Sequence, residues 1–233
     1  MPAISFFSRL LDLIAPRSCA ICGQRLSISE QSICATCNMG IPRTHFALTP
    51  YDNEMARLLW GQFPVERCAA FFRYIPASDM SELIHQAKYH NHPELCEEVG
   101  ELMARELMAT GFFEGIDLLV PVPLTKSRQR QRGYNQSECI ARGISHVTHT
   151  PVAHHAIERV AFSGSQTQKD RWQRRENVKN VFRLKQQQQV RGHHLLLVDD
   201  ILTTGATVSS CAHELLKAQD VKISVLTLGF TKG

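Results

Sequence analysis

After residue 65 the sequence predicts an α/β domain, a mostly parallel sheet flanked by helices, and ahead of it a small metal-binding module. Two observations predict the domain. Strand-like apolar runs alternate with helix-period segments, and one of those runs ends in an acidic pair followed by a turn rich in threonine and glycine. A third observation predicts the module: four of the eight cysteines fall as Cys19-x2-Cys22 and Cys34-x2-Cys37. With 233 residues, 43% of them hydrophobic and 21% charged, the chain is long enough for one full α/β core plus an appended unit and too apolar for disorder. The order reads as a docking helix over 1–15, a four-cysteine zinc ribbon over 16–45, a linker over 46–64 and the α/β domain over 65–233.

The first segment, AISFFSRLLDLIAP, repeats apolar residues at Ile4, Phe7, Leu10, Leu11 and Ile14 and stops at Pro16, the pattern of a helix with one apolar stripe. It is shorter than the ~20 residues a membrane span needs, carries Arg9 and Asp12, and lacks a basic start and a small-residue cleavage site. We read it as a docking helix, with weak membrane-surface association as the alternative. No other segment approaches transmembrane length, which predicts a cytoplasmic protein.

In the cysteine module, a two-residue spacer lets both thiolates of a knuckle face one ion. Two such knuckles complete a tetrahedral S4 site of the kind zinc favours. Disulfides are the competing use, but there is no export signal, and Cys68, Cys96, Cys139 and Cys211 are scattered without pair spacing. Four protein ligands leave no open coordination position, so the Zn2+ is expected to be structural. Between the knuckles, GQRLSISEQSI is expected to form a short hairpin with Gly23 in its turn. A loop this small folds largely on the free energy of metal binding.

Pro42, Pro50, Gly61 and Pro64 punctuate the stretch read as a linker. CAAFFRYI (68–75) reads as a strand, Asp79 as the cap of the helix MSELIHQAKYH, and Pro93 as the start of a helix with Leu95, Val99, Leu102 and Met103 on one face. DLLVPVP is a short buried strand whose prolines mark its passage into a binding loop. A helix over 136–145, a strand near 156–160, a basic loop or helix, the strand HLLLV, a helix over 205–218 and the strand KISVLTLGF complete the alternation.

The net charge of +4 is too mild to announce a nucleic-acid binder, but it is unevenly spread. Residues 121–142 hold five basic residues against one acid and residues 159–185 hold eight against two, so the remainder of the chain nets −6. Charge runs are usually solvated faces. Here KSRQRQR follows a strand end directly and both clusters fall in expected loops, which favours a role in binding. The histidines stand in turns or polar faces with no carboxylate at triad spacing and are assigned no catalysis. Trp172, among arginines, suits either stacking on a base or anchoring its loop.

LLLVDDILTTGAT (195–207) carries the chemistry. Ligands of open α/β sheets sit beyond the carboxyl ends of the strands, where Asp199 and Asp200 fall. Thr203, Thr204, Gly205, Ala206 and Thr207 then lead into a helix whose first amides have no intrahelical partner, an anion site suited to phosphate. Carboxylates do not favour that phosphate; they suit ribose hydroxyls or Mg2+. A phosphorylated pentose satisfies both demands. An ordinary capping aspartate accounts for one acid and one threonine and leaves the rest unexplained. Neither a G-x-x-x-x-G-K-[ST] nor a G-x-G-x-x-G motif is present.

This stretch resembles the phosphoribosyl pyrophosphate (PRPP) motif of type I phosphoribosyltransferases. Together with the four cysteines, PVPLTKSRQRQRGYNQSECIA (121–141) and RVAFSGSQTQKDRWQRRENVKNVF (159–182), the chain resembles the ComF/GntX family, bacterial proteins linked to competence and the use of external DNA. A departure is KYHN (88–91), where relatives tend to end on glycine; asparagine tolerates the same left-handed turn. The resemblance implies a type I phosphoribosyltransferase-like fold. It implies that Asp199 and Asp200 hold the ribose hydroxyls and act in catalysis, and that Thr203, Thr204, Gly205, Ala206 and Thr207 cradle the 5-phosphate. Leu124, Thr125 and Lys126 match the pyrophosphate loop, and the region of Gln168, Arg171, Arg175 and Asn177 matches a mobile lid. The implied ligands are PRPP or a related phosphorylated ribose with Mg2+, and the implied partners are single-stranded DNA or a DNA-uptake helicase. Two classes of function remain open, a DNA-utilisation factor that binds PRPP and an active transferase on an unidentified acceptor. Neither the acceptor nor the oligomeric state is encoded in these motifs.

Overall fold

The computed structural model describes residues 16–76, 78, 81, 83, 84, 86, 93–160 and 181–231. The expected N-terminal helix, most of the helix expected after Asp79, and the basic stretch 161–180 with Gln168, Arg171, Trp172, Arg175 and Asn177 lie outside the described residues.

Four strands, β1 (Cys68–Arg73), β2 (Leu118–Pro121), β5 (His194–Leu202) and β6 (Lys222–Phe230), form a parallel sheet in the order β1-β6-β5-β2. The central strands read as continuous apolar runs because both faces of the sheet are covered. Leu195 to Val198 are fully buried, and so is every residue of β6 after Lys222. The polar residues caught there are satisfied. His194 Nε2 and the Ser224 hydroxyl are 2.9 Å apart, and Thr227 donates to the Gly229 carbonyl at 3.0 Å.

α3 (Pro93–Met108) and α5 (Gln136–Thr148) pack against each other at backbone contact. A Cβ at Gly100 would stand 2.5 Å from the Ile140 carbonyl oxygen, and one at Gly143 would collide with the Glu97 carbonyl. Between these helices and β2, Val120, Ile140 and Ile144 are fully buried. A one-turn helix, α6 (Gln187–Val190), precedes β5, and α7 (Ala206–Leu215) follows it and buries Val208, Cys211 and Leu215.

Five local expectations differ from what forms. The stretch 46–64 holds a 3-10 turn (Phe46–Leu48) and a helix, α2 (Glu54–Leu59), whose Met55, Ala56 and Leu59 join the core of the sheet domain. Asn53 makes this possible. Its Oδ1 accepts from the Ala56 amide at 2.9 Å while its Nδ2 donates to the carbonyls of Thr49 and Cys68, both at 2.9 Å. KSRQRQR is not a loop but a short helix, α4 (Lys126–Arg132), capped by Thr125 and ended by Gly133 at φ 81°. The strand near 156–160, β3 (Ile157–Arg159), pairs antiparallel with β4 (Phe182–Leu184) in a separate two-stranded ribbon. Asp199 and Asp200 stay inside β5 rather than beyond it. In place of the hairpin between the cysteine knuckles there is a Ser18–Arg25 bridge and a bond from the Ala20 amide to the Ser32 carbonyl at 2.8 Å.

α1 (Ala35–Gly40) closes the cysteine module, which has a small core of Cys19, Leu26 and Cys34. Its Ala20, Ile21 and Ile33 pack on the main core, and the Ser32 hydroxyl donates to the Glu98 carboxylate of α3. Arg43 ties Asn38 to Glu106 with its guanidinium 4.6 Å from the Phe71 ring centroid. Just beyond, Pro42 to Thr44 lie along the outer edge of β1: the Arg73 amide donates to the Pro42 carbonyl at 2.8 Å and the Thr44 amide to the Phe71 carbonyl at 3.2 Å. At the opposite edge, β2 is bridged to Val152.

Candidate functional site

Two clusters carry chemistry, one in the module and one at the carboxyl end of β5. In the module the sulfurs of Cys19, Cys22, Cys34 and Cys37 all lie within 4.8 Å of one another, with Cys22 and Cys34 at 3.8 Å. An ion bound at ~2.3 Å by four thiolates spaces them by roughly 3.8 Å, so the set fits a tetrahedral metal ion. Backbone amides point at the sulfurs: Ile21 and Cys34 toward Cys19 at 3.5 and 3.4 Å, and Cys37 toward Cys34 at 3.4 Å. Burial works against a Cys19 thiolate, yet hydrogen bonds from the backbone of Cys22, Cys34 and Ile21 outweigh it and hold that thiol at about 7. Glu30 braces the loop by accepting from the amides of Ser27 at 2.7 Å and Ala35 at 2.6 Å. These four cysteines can hold a metal ion.

In β5, Asp199 and Asp200 are adjacent, so their side chains leave opposite faces of the sheet. Both are partly exposed. Asp199 Oδ1 accepts from the Ser137 hydroxyl at 3.0 Å and from the Asp200 amide at 2.9 Å. Asp200 Oδ1 accepts from the Ile201 amide at 2.7 Å. Thr203 and Thr204 follow, exposed, and then Gly205 at φ 77°, which turns the chain into α7. The missing side chain of Gly205 leaves room for protein rather than ligand, because a Cβ there would stand 2.6 Å from Leu59 Cδ2 of α2. Thr204 Oγ1 accepts from the Ala206 amide at 3.4 Å, and Gln62 Nε2 donates to the Thr204 carbonyl at 3.4 Å. Ala206 and Thr207 open the helix, both exposed. The turn therefore presents hydroxyls and the first amides of a ten-residue helix beside two carboxylates.

The loop after β2 lies alongside, because the Val122 amide donates to the Val198 carbonyl at 2.9 Å. In it Leu124 and Thr125 are partly exposed and Lys126 is exposed; Thr125 Oγ1 accepts from the Arg128 amide at 3.2 Å, so it caps α4. Asn135, buried at 7% exposure, joins the two loops. Its Nδ2 donates to the Val122 carbonyl at 3.0 Å and its Oδ1 accepts from the Ser137 amide at 3.2 Å. A chain of hydrogen bonds thus runs from Val122 through Asn135 and Ser137 to Asp199. Sequence reasoning missed Ser137. Its only signal is its place two residues after a capping asparagine.

The basic clusters divide. Arg142 is paired with Glu97 at 2.5 Å, and Arg183 and Lys185 lie 3.9 and 3.5 Å from Glu158. Lys126, Arg128 and Arg130 are exposed on α4. Arg171 and Arg175 lie outside the described residues. A cavity of about 270 Å3 separates the module from α3 between Ser32, Ile33, Glu98 and Leu102, away from the acidic pair. Among the described residues no helix is long and apolar enough to cross a membrane.

A parallel sheet with an acid pair, a phosphate-sized turn and a neighbouring loop at its carboxyl edge defines a phosphoribosyltransferase-type domain, and residues 85–229 match the phosphoribosyl transferase domain family. The chain belongs to that family, in its ComF branch. It is 30% identical over 231 residues to the DNA utilization protein YhgH of Escherichia coli O157:H7, covering 93% of this chain and 98% of that one. It is 26% identical over 222 residues to competence protein F of Haemophilus influenzae, covering 89% and 94% respectively. Among solved structures it is similar to the glutamine PRPP amidotransferase of B. subtilis, at 18% identity and a TM-score of 0.41, over 60% of this chain and 30% of that one.

Proposed function

We propose that this protein serves DNA uptake or utilisation in the cytoplasm, through a domain that binds PRPP or a related phosphorylated ribose with Mg2+. Relatives named for DNA utilization and competence support the biological part. One observation carries the chemical part: Asp199 and Asp200 stand partly open in the last, turn-ward half of a central strand, with only Ile201 and Leu202 between them and a hydroxyl-lined turn into a helix. In this reading the two carboxylates hold the ribose hydroxyls, Thr203 to Thr207 receive the 5-phosphate, and Leu124, Thr125 and Lys126 face the pyrophosphate. Arg171 and Arg175 are assigned to the same ligand as sources of positive charge for its phosphates. Mg2+ is shared with the substrate phosphates and offsets their charge. Zinc is the metal the four-thiolate set suits, in a structural role. The exposed Lys126 and Arg130 support contact with single-stranded DNA or a helicase-like partner.

Calorimetry with PRPP and Mg2+ tests the reading. Wild-type protein binds, and Asp199→Asn with Asp200→Asn abolishes binding without lowering the melting temperature. Wild-type protein that leaves PRPP unbound would overturn it. Pyrophosphate release on adding a base or amine would extend binding to transfer. Restored growth on external DNA, in an E. coli strain lacking its YhgH relative, tests the biological part.

A further inference from the structure

Gln62 lies just past α2, outside the residues that match the phosphoribosyl transferase family, yet it touches the phosphate-sized turn. Its Nε2 donates to the Leu58 carbonyl at 2.8 Å and to the Thr204 carbonyl at 3.4 Å. A carboxamide nitrogen has two hydrogens, one for each of these acceptors, and the carboxamide oxygen would repel both, so the side chain has one orientation here. Its own backbone amide donates to the Leu59 carbonyl at 3.0 Å, which fixes where the side chain starts. Beside it, the Leu59 side chain fills the space that a Cβ at Gly205 would take. The end of α2 therefore grips the turn at two neighbouring points, the Thr204 carbonyl and the bare side of Gly205.

A trans peptide holds its C=O and N–H on opposite sides, so a bond that draws the Thr204 carbonyl toward Gln62 turns the Gly205 N–H away from it. Among the described residues that N–H has no acceptor, nor have those of Thr203 and Thr204, while the Ala206 amide meets Thr204 Oγ1 at 3.4 Å. Unclaimed amides of this kind suit an anion. The hazard is reversal. Glycine accepts either sign of φ, so the Thr204–Gly205 peptide can turn over and present its carbonyl oxygen where the N–H stood, and that oxygen repels a phosphate. We propose that Gln62 is a positioning residue for the 5-phosphate, holding the Thr204–Gly205 peptide with its N–H toward the ligand. The proposal rests on the phosphorylated-ribose reading and extends the phosphate site to a residue that precedes every strand of the sheet. At 3.4 Å the bond is long, so it biases the peptide plane rather than locking it.

The full chain tests this with Gln62→Met, which keeps the length of the side chain and removes the donor. Calorimetry with ribose 5-phosphate is expected to show affinity about fivefold below wild type, the size of one net hydrogen bond. Amide NMR supplies a signature that a merely structural role would not move. In wild type the Gly205 N–H resonance shifts downfield as ribose 5-phosphate is added; in Gln62→Met that shift is lost while the Ala206 and Thr207 amides still respond. Gln62 is only partly buried, so the variant is expected to keep nearly the wild-type melting temperature. Equal affinity in wild type and variant would overturn the role of Gln62 and leave the phosphorylated-ribose reading standing. A weakened variant whose Gly205 resonance still shifts in full would overturn it too, because the loss then comes from elsewhere. Wild-type protein that binds neither ribose 5-phosphate nor PRPP with Mg2+ would overturn the reading and the proposal together.

Discussion

Gly205 is held by protein, and a double-mutant cycle with Leu59 measures how firmly. In Gly205→Ala, an alanine at φ 77° bears the left-handed penalty of about 1–2 kcal/mol. The new methyl also stands 2.6 Å from Leu59 Cδ2, and forcing a methyl into a packed site costs roughly 1–3 kcal/mol. The expected loss is about 2–5 kcal/mol, read as the shift in urea midpoint at constant slope. Leu59→Ala alone, at a residue with 0% exposure, costs about 2–5 kcal/mol through its cavity. Combined, the two changes should fall short of additivity by about 1–3 kcal/mol, because the shortened side chain relieves the collision and leaves only the backbone strain. Additive losses, or a Gly205→Ala protein within about 0.5 kcal/mol of wild type, would refute the assignment of this glycine to packing against α2.

Four further outcomes are expected. Ser137→Ala removes a hydroxyl donor to Asp199 and should weaken PRPP binding by roughly tenfold in calorimetry, with a melting temperature lowered by only a few degrees, about 2–4 °C per kcal/mol lost. Glu98 is held up at about 6, first by burial and then by Glu101 and Glu94, with Arg17 opposing. Its folded carboxyl therefore takes up a proton that the unfolded one does not between about pH 4.5 and 6, and stability falls as pH rises through that window. Denaturant titrations should find Glu98→Gln more stable than wild type at pH 7.5 and level with it below pH 4.5. Stripping the metal with a chelator, or Cys34→Ser, should unfold the module; elemental analysis should count about one ion per native chain and none after either treatment. Gly143→Ala should destabilise by more than about 2 kcal/mol in chemical denaturation, since the new methyl meets the Glu97 carbonyl, a backbone atom that cannot swing aside.

What the sequence disclosed follows from how local each signal is. The cysteine knuckles are legible because a two-residue spacer is itself the geometry of a chelate. The central strands are legible because parallel strands buried on both faces become unbroken apolar runs. α2 is hidden because six residues between prolines and glycines are too few to show a period, and its helix start depends on Asn53 reaching Cys68 fifteen positions away. α4 has no buried residue and so no apolar stripe; Thr125 before it and Gly133 after it were the available signs. Ser137 and Asp199 meet across 62 positions, a pairing that only the docking of α5 on the sheet creates. The side-by-side placement of β2 and β5 is likewise a matter of strand order, which alternation does not encode.

Residues 42–44 do more than join the metal module to the sheet. By lying against β1 they occupy amide and carbonyl groups that an outermost strand would otherwise offer to any passing chain. A protein trimmed to start at β1 would carry an open, apolar border, and its molecules would stack border to border. The four-cysteine end of this chain therefore doubles as a guard against self-association, and light scattering of such a trimmed protein, rising with concentration, would register its loss.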